Sequence, residues 1–347
     1  MAQELSGRVE WKSPSNIALV KYWGKHGRQL PSNPSISFTL DKAHTLTSVQ
    51  YKIKGKASDD IDVSFKFEGE EAPVFEKRIV DYLSSIKDVL PLVSKMQLDI
   101  SSHNSFPHSS GIASSASSMS ALALCLLSIE KAYKGREAMD MELASHIARL
   151  GSGSASRSVY GPLAIWGETS VDDKSSDLHA IAYGADLDPI FHTFHDDILI
   201  ISKEKKSVSS TAGHALMETN PYRDSRYKQA HTHMGEVVAA MQAGDLEKFG
   251  LIVEKEALTL HALMMASSPP YILMETGTLQ AINHIKLFRE EKKIPVYFTL
   301  DAGPNIHLLY PNSYTPDVID LKEELRAFCV DGMIIEDQVG SGPIQLS

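Results

Sequence analysis

SISFTL (35–40), TLTSVQYKI (45–53) and IDVSFKF (61–67) alternate apolar and polar side chains, the two-residue repeat of a strand with one buried face. In the third stretch Ile61, Val63, Phe65 and Phe67 share that face. From residue 73 the repeat lengthens, and PVFEKRIVDYLSSIKDVL (73–90) carries its apolar positions at helical spacing. The pattern then predicts a strand over MQLDISSHN (96–104), a helix over 113–133, and an amphipathic helix over MELASHIARL (141–150) stopped by Gly151. Further strands are expected in VYGPLAIWGE (159–168), DILIIS (197–202) and VYFTLDAG (296–303). Helices are expected over 225–243, 245–263, 277–291 and 318–328. The sum is an α+β chain in two lobes, divided within DLDPIFHTFHDD into 1–190 and 191–347.

Composition narrows the function. With 347 residues, 43% of them hydrophobic and 22% charged, the chain can bury a sizeable core. A formal net charge of −10 argues against a general nucleic-acid binder but leaves room for a small anion held by a local basic cluster. The opening MAQELSGRVEW is polar and acidic, without the pattern of a signal peptide, and the run ALALCLLSI (121–129) is too short to span a bilayer. Cys125 and Cys329 form no CxxC pair and read as free thiols of a reducing compartment. The expectation is a cytoplasmic protein that touches neither membrane nor nucleic acid.

Three segments carry groups suited to an anion. SHNSFPHSSGIASSASSMSALALCL (102–126) sets nine serines and a glycine in front of an apolar helix. Orphan N–H groups, the helix dipole and serine hydroxyls together form a phosphate cradle. A flexible linker has similar composition, yet a linker does not normally run straight into a helix. SNIALVKYWGK (15–25) puts Lys21 and Lys25 four apart around Tyr22, either toward an anion or as solvated lysines of a strand. GSGSASRS (151–158) lets a ligand approach the backbone beside Arg157. No Walker A loop or G-x-S-x-G elbow occurs, GSGSAS follows a helix where a dinucleotide loop follows a strand, and the pairs His192/His195 and His231/His233 match no zinc motif. Asp301 closes an apolar strand just before AGPN. It reads as a turn cap, or as a reactive carboxylate entering a cleft. Two lysines, an arginine, an aspartate and a phosphate loop together suggest phosphoryl transfer.

Pro107-x-x-x-Gly111-x-x-Ser114-Ser115-Ala116 resembles the phosphate motif of the GHMP superfamily (galactokinase, homoserine kinase, mevalonate kinase, phosphomevalonate kinase). SNIALVKYWGK, SGSASRSVYG, VSSTAGH and LDAGPN resemble, in the same order, motifs of its diphosphomevalonate decarboxylase family. That resemblance implies a ribosomal-S5-like N-terminal lobe, a ferredoxin-like C-terminal lobe, and a homodimer. It further implies ATP-dependent decarboxylation of (R)-5-diphosphomevalonate to isopentenyl diphosphate, with Mg2+ carried by ATP and no metal motif in the protein. By the same resemblance Asp301 would orient or deprotonate the 3-hydroxyl, with Lys21 near the transferring phosphate. Arg157, positioned by Asn16, would grip the carboxylate. Tyr22, Lys25, Ser152, Ser154 and Ser210 would contact the diphosphate, and Asn104, Ser105, Ser109, Ser110, Gly111, Ser114 and Ser115 would hold ATP.

Two departures stand out. His214 occupies a position near the phosphate tail where the family usually has Met, so a pH-dependent charge is expected there. The loop reads FPHSSGIASSAS instead of the commoner FPTAAGLASSA. Some relatives decarboxylate 5-phosphomevalonate, and others only phosphorylate mevalonate. The presence of Asp301, Lys21 and Arg157 together favours decarboxylation.

Overall fold

The computed structural model describes residues 5–106, 112, 114–184, 186–204 and 208–347. The chain opens with β1 (Ser6–Ala18), a small hairpin of β2 (Lys25–His26) and β3 (Leu30–Pro31), and the long β4 (Ser35–Ile53). Then follow β5 (Asp62–Phe67), β6 (Glu70–Glu71), α1 (Pro73–Ser85), β7 (Met96–Asn104), α2 (Ser114–Lys134), α3 (Met141–Gly151), β8 (Leu163–Trp166) and β9 (Ala180–Tyr183). The second lobe brings β10 (Phe194–Leu199), α4 (Ser210–Ala215), α5 (Arg223–Ala243), α6 (Leu246–Met265) and α7 (Thr276–Lys292). It continues with β11 (Tyr297–Leu300), β12 (Ile306–Pro311), α8 (Thr315–Leu325) and β13 (Ile334–Ile335), before β14 (Ile344–Gln345).

An eight-stranded sheet runs β14–β1–β4–β7–β5–β6, with β8 joined to β4 and β9 to β8. Its pairs are antiparallel except β5 with β7. A second sheet runs β11–β12–β10–β13. α2 buries Leu122, Leu124, Leu126 and Ile129 in the first lobe, each contributing about 1.5–3 kcal/mol. The lobes meet in a shared apolar cluster. In it the rings of Phe38, Phe194 and Phe249 lie with centroids 5.2–6.1 Å apart.

Several elements differ from the sequence pattern for physical reasons. The stretches 35–40 and 45–53 are one strand, because the register of β1 on β4 shifts between Pro14 and Asn16 and the strand bends without ending. The backbone N–H groups of Asp41, Lys42 and Ala43 at that bend donate to the buried Asp337 carboxylate at 3.0, 2.7 and 2.6 Å. α1 stops at Ser85, short of 90, where Leu90 precedes Pro91 and is pushed out of the helical region. β10 starts at Phe194 and takes in two buried aspartates. Asp196 accepts from His307 at 2.7 Å and Asp197 from Tyr310 at 2.6 Å, so acids that hydropathy reads as solvent-facing sit inside. Cys125 is buried and Cys329 partly so. No described helix is long and apolar enough to cross a membrane.

Candidate active site

Past Ala18 the chain leaves β1, and residues 19–24 have no strand structure of their own. Lys21 lies in this segment and is only 2% exposed, so the solvated reading does not hold for it. Its Nζ meets Asp301 Oδ1 at 3.3 Å. Asp301 follows directly on β11, its backbone carbonyl accepting from His261 Nε2 at 3.1 Å. Burial pushes the Lys21 ammonium below the ordinary lysine range, while Asp301 pulls it back up.

Arg157 comes from a 3-10 turn, Gly153–Val159, that follows α3. Its Nε donates to Asn16 Oδ1 at 3.3 Å and to Ser37 Oγ at 3.1 Å, and its Nη2 to Asn16 Oδ1 at 3.2 Å. Asn16 is fixed in turn, giving its Nδ2 protons to Ser158 Oγ and the Ser154 carbonyl. Arg157 Nη1 is buried without a partner among the described residues. Burial lowers the guanidinium pKa to about 10, with Asp301 opposing that fall. A buried cation that leaves donors unused suits a planar anion.

The His214 ring packs against those of Tyr22 and Trp23 in tilted contacts, with centroids 4.4 and 4.5 Å away. His214 Nδ1 accepts from the Gly24 N–H at 3.0 Å. Burial, with Lys25 nearby, pushes its pKa down to about 3. The pH-dependent charge expected there is therefore corrected: the ring stays neutral through the physiological range. Gly24 has φ +99°, and a Cβ there would collide with the Tyr227 ring. At Gly153 a Cβ would come within 2.8 Å of Tyr22 Oη, and that hydroxyl too is buried and unpartnered among the described residues. Beside His214 lies a cavity of about 260 Å³, lined also by Lys25, Arg223 and Tyr227. Lys25 Nζ donates to Gln29 Oε1 at 2.9 Å. Ser210 opens α4 on the exposed side.

Hydroxyls link this region to the start of α2. Ser115 Oγ lies 3.2 Å from Ser152 Oγ, which lies 3.4 Å from Ser154 Oγ. Ser114 and Ser115 occupy the first turn of a 21-residue helix, where orphan N–H groups and the dipole favour phosphate. Asn104 and Ser105 are committed locally: Asn104 Oδ1 accepts from the Thr45 hydroxyl at 2.8 Å, and Ser105 Oγ donates to the Lys42 carbonyl at 2.6 Å. Ser109, Ser110 and Gly111 lie outside the described residues. Among the described residues no group of three His, Cys, Asp or Glu side chains could hold a metal.

Sequence reasoning missed Arg226, His233 and Glu256, a buried cluster on α5 and α6 that touches the Lys21 peptide. A signal existed. Arg226, Ala230, His233 and Val237 share the buried stripe of α5, and Glu256 lies on that of α6, so charges sit where an amphipathic helix is apolar.

Two lobes joined through a common core, with a serine-fronted helix beside a buried lysine–aspartate pair, form the architecture of the GHMP superfamily. Within it the chain belongs to the diphosphomevalonate decarboxylase family. Residues 13–177 match the diphosphomevalonate decarboxylase-like N-terminal domain, and residues 197–343 the mevalonate 5-diphosphate decarboxylase C-terminal domain. The chain is 30% identical to the diphosphomevalonate decarboxylase of Ganoderma lucidum, over 89% of its own length and 80% of that protein. The mevalonate diphosphate decarboxylase of Staphylococcus aureus superposes with a TM-score of 0.84 at 26% identity, covering 99% of both chains. A similar superposition, with a TM-score of 0.82 at 26% identity over 99% of this chain and 100% of the other, is found with MDDEF in complex with MVAPP, AMPPCP and magnesium.

Proposed function

We propose that the chain converts (R)-5-diphosphomevalonate and ATP to isopentenyl diphosphate, ADP, phosphate and carbon dioxide. One observation carries this reading: Arg157, buried and held by Asn16 and Ser37, keeps Nη1 free of any described partner within reach of the Asp301 carboxylate's field. A substrate carboxylate would satisfy it.

The chemistry explains the remaining residue types. A tertiary hydroxyl is a poor leaving group and must first be phosphorylated. Asp301 would accept or orient the 3-hydroxyl proton as the oxygen attacks the γ-phosphorus, and Lys21 would balance charge between Asp301 and the arriving phosphoryl group. When the 3-phosphate departs with its bonding electrons, C3 becomes electron-poor. The electrons of the bond between C2 and the carboxylate carbon then form the C2–C3 double bond, and carbon dioxide leaves. Arg157 would hold the carboxylate so that the breaking bond aligns with the empty orbital at C3.

Tyr22, Lys25, Ser152, Ser154 and Ser210 would meet the diphosphate. His214 would serve there as a neutral wall. Ser114 and Ser115, with Ser109, Ser110 and Gly111, would hold ATP, and Asn104 and Ser105 would shape the loop entrance near the nucleotide through the bonds they already make. Mg2+ riding on the ATP phosphates would supply charge neutralisation at the transferring group. The same proposal takes lobes 1–190 and 191–347 as the working units, in a homodimer of the cytoplasm, the dimer being readable by light scattering.

The test is release of ADP, phosphate and carbon dioxide with Mg-ATP, offering 5-diphosphomevalonate and 5-phosphomevalonate in parallel. Equal amounts of all three products, with preference for the diphosphate, is the expected result. ADP without carbon dioxide would overturn it.

A further inference from the structure

Lys21 lies where the chain has left the sheet, so its peptide lacks strand partners, yet both ends of that peptide are bonded. Its N–H donates to Glu256 Oε2 at 2.8 Å, and its carbonyl accepts from Arg226 Nη2 and Asn33 Nδ2, each at 3.0 Å. Glu256 is wholly buried. Arg226 reaches both of its oxygens at 2.6 Å, and His233 Nδ1 lies 2.5 Å from Oε1. Burial alone would raise the Glu256 carboxyl pKa, but Arg226 and His233 hold it well below the usual carboxylate range. The carboxylate is therefore a permanent acceptor.

Burying such a cluster is expensive, and well-packed apolar side chains often hold two elements together better. A fork and a carboxylate of fixed geometry supply something apolar contacts do not, namely a directional grip on one peptide.

We propose that Arg226, Glu256 and His233 are positioning residues that clamp the Lys21 peptide from α5 and α6, aiming its ammonium at Asp301. The proposal rests on the reading of Lys21 and Asp301 as the reacting pair. The charged groups facing Lys21 are Asp301 after β11, Glu256 on α6, Asp196 on β10 and Arg226 on α5. Removing Glu256 thus alters both the aim and the field at Nζ, whereas His233→Asn loosens Glu256 and keeps its charge.

Glu256→Gln and His233→Asn in the full chain test the clamp. We expect kcat to fall about 10- to 100-fold in the first and about 3- to 10-fold in the second. KM for Mg-ATP and for 5-diphosphomevalonate should stay within about threefold in both. In protein labelled with 15N at the lysine Nζ, the Lys21 signal, assigned by its loss in Lys21→Met, should titrate at lower pH in Glu256→Gln. Unchanged kcat in both folded variants, a kcat loss matched by an equal rise in KM, or an unmoved Lys21 titration overturns the proposal. The titration reads Lys21 even in a protein that does not turn over. A wild type that releases no carbon dioxide overturns the functional assignment instead.

Discussion

In the proposed reaction Asp301 and Lys21, paired at 3.3 Å, would divide the work: the carboxylate would handle a proton, and the buried ammonium would set its field. Asp301→Asn keeps the shape and removes the base, so kcat should fall about 100- to 10,000-fold with the fold intact by circular dichroism. His214 makes a different prediction. Its folded pKa, near 3, lies below an unfolded value of about 6.5. Both states are neutral above pH 6.5, and only the unfolded state gains the proton as pH falls from there toward 3. Between pH 7.5 and 5 the wild type should therefore lose about 2 kcal/mol that His214→Met does not. Urea unfolding at the two pH values measures it. The motif residues were legible because their types and order survive in the sequence. The neutrality of His214 was not, since it comes from Tyr22, Trp23 and the Gly24 N–H, which only the fold gathers around it.

The segment between β1 and β2 is the element on which the site turns. Gly24 and Gly27 both have positive φ, +99° and +50°, but only at Gly24 would a Cβ strike the Tyr227 ring. Gly24→Ala should thus displace Lys21 and lower kcat about 10- to 100-fold. Gly27→Ala should cost only about 1 kcal/mol of stability and leave kcat nearly unchanged. Steady-state kinetics beside a Tm measurement separates the two. At this scale the helices α2, α3, α5, α6 and α7 were legible to within a few residues, although only the short α3 has a strongly amphipathic period. The bend in β4 and the acid-bearing start of β10 were not. In the first a bulge replaces a turn, and in the second Asp196 and Asp197 find His307 and Tyr310 on the neighbouring strand β12 and Lys322 on α8. Pairing between distant segments decides such cases, and a local window does not contain it.

As a whole, the molecule is tied across its lobes by the aromatic cluster and by the closing segment. Phe249→Ala should cost about 3–5 kcal/mol, read as a single shifted unfolding transition, since the ring packs on Phe38 from one lobe and Phe194 from the other. Asp337→Ala should cost about 1–3 kcal/mol, because the buried Ala43 N–H and the neighbouring Lys42 N–H lose their shared acceptor, while the Asp41 N–H keeps the Gln338 carbonyl. Beyond Asp337 the chain returns to the first sheet: the Gly340 N–H donates to the Thr39 carbonyl at 2.8 Å, and β14 pairs with β1 at Trp11 and Lys12. That return sets a clock on synthesis. The first lobe emerges from the ribosome well ahead of its last strand and of the carboxylate that caps its bend. Its sheet must wait, β1 unpaired at Trp11 and Lys12, until the second lobe has been made and residues 337–347 arrive to cover that stretch.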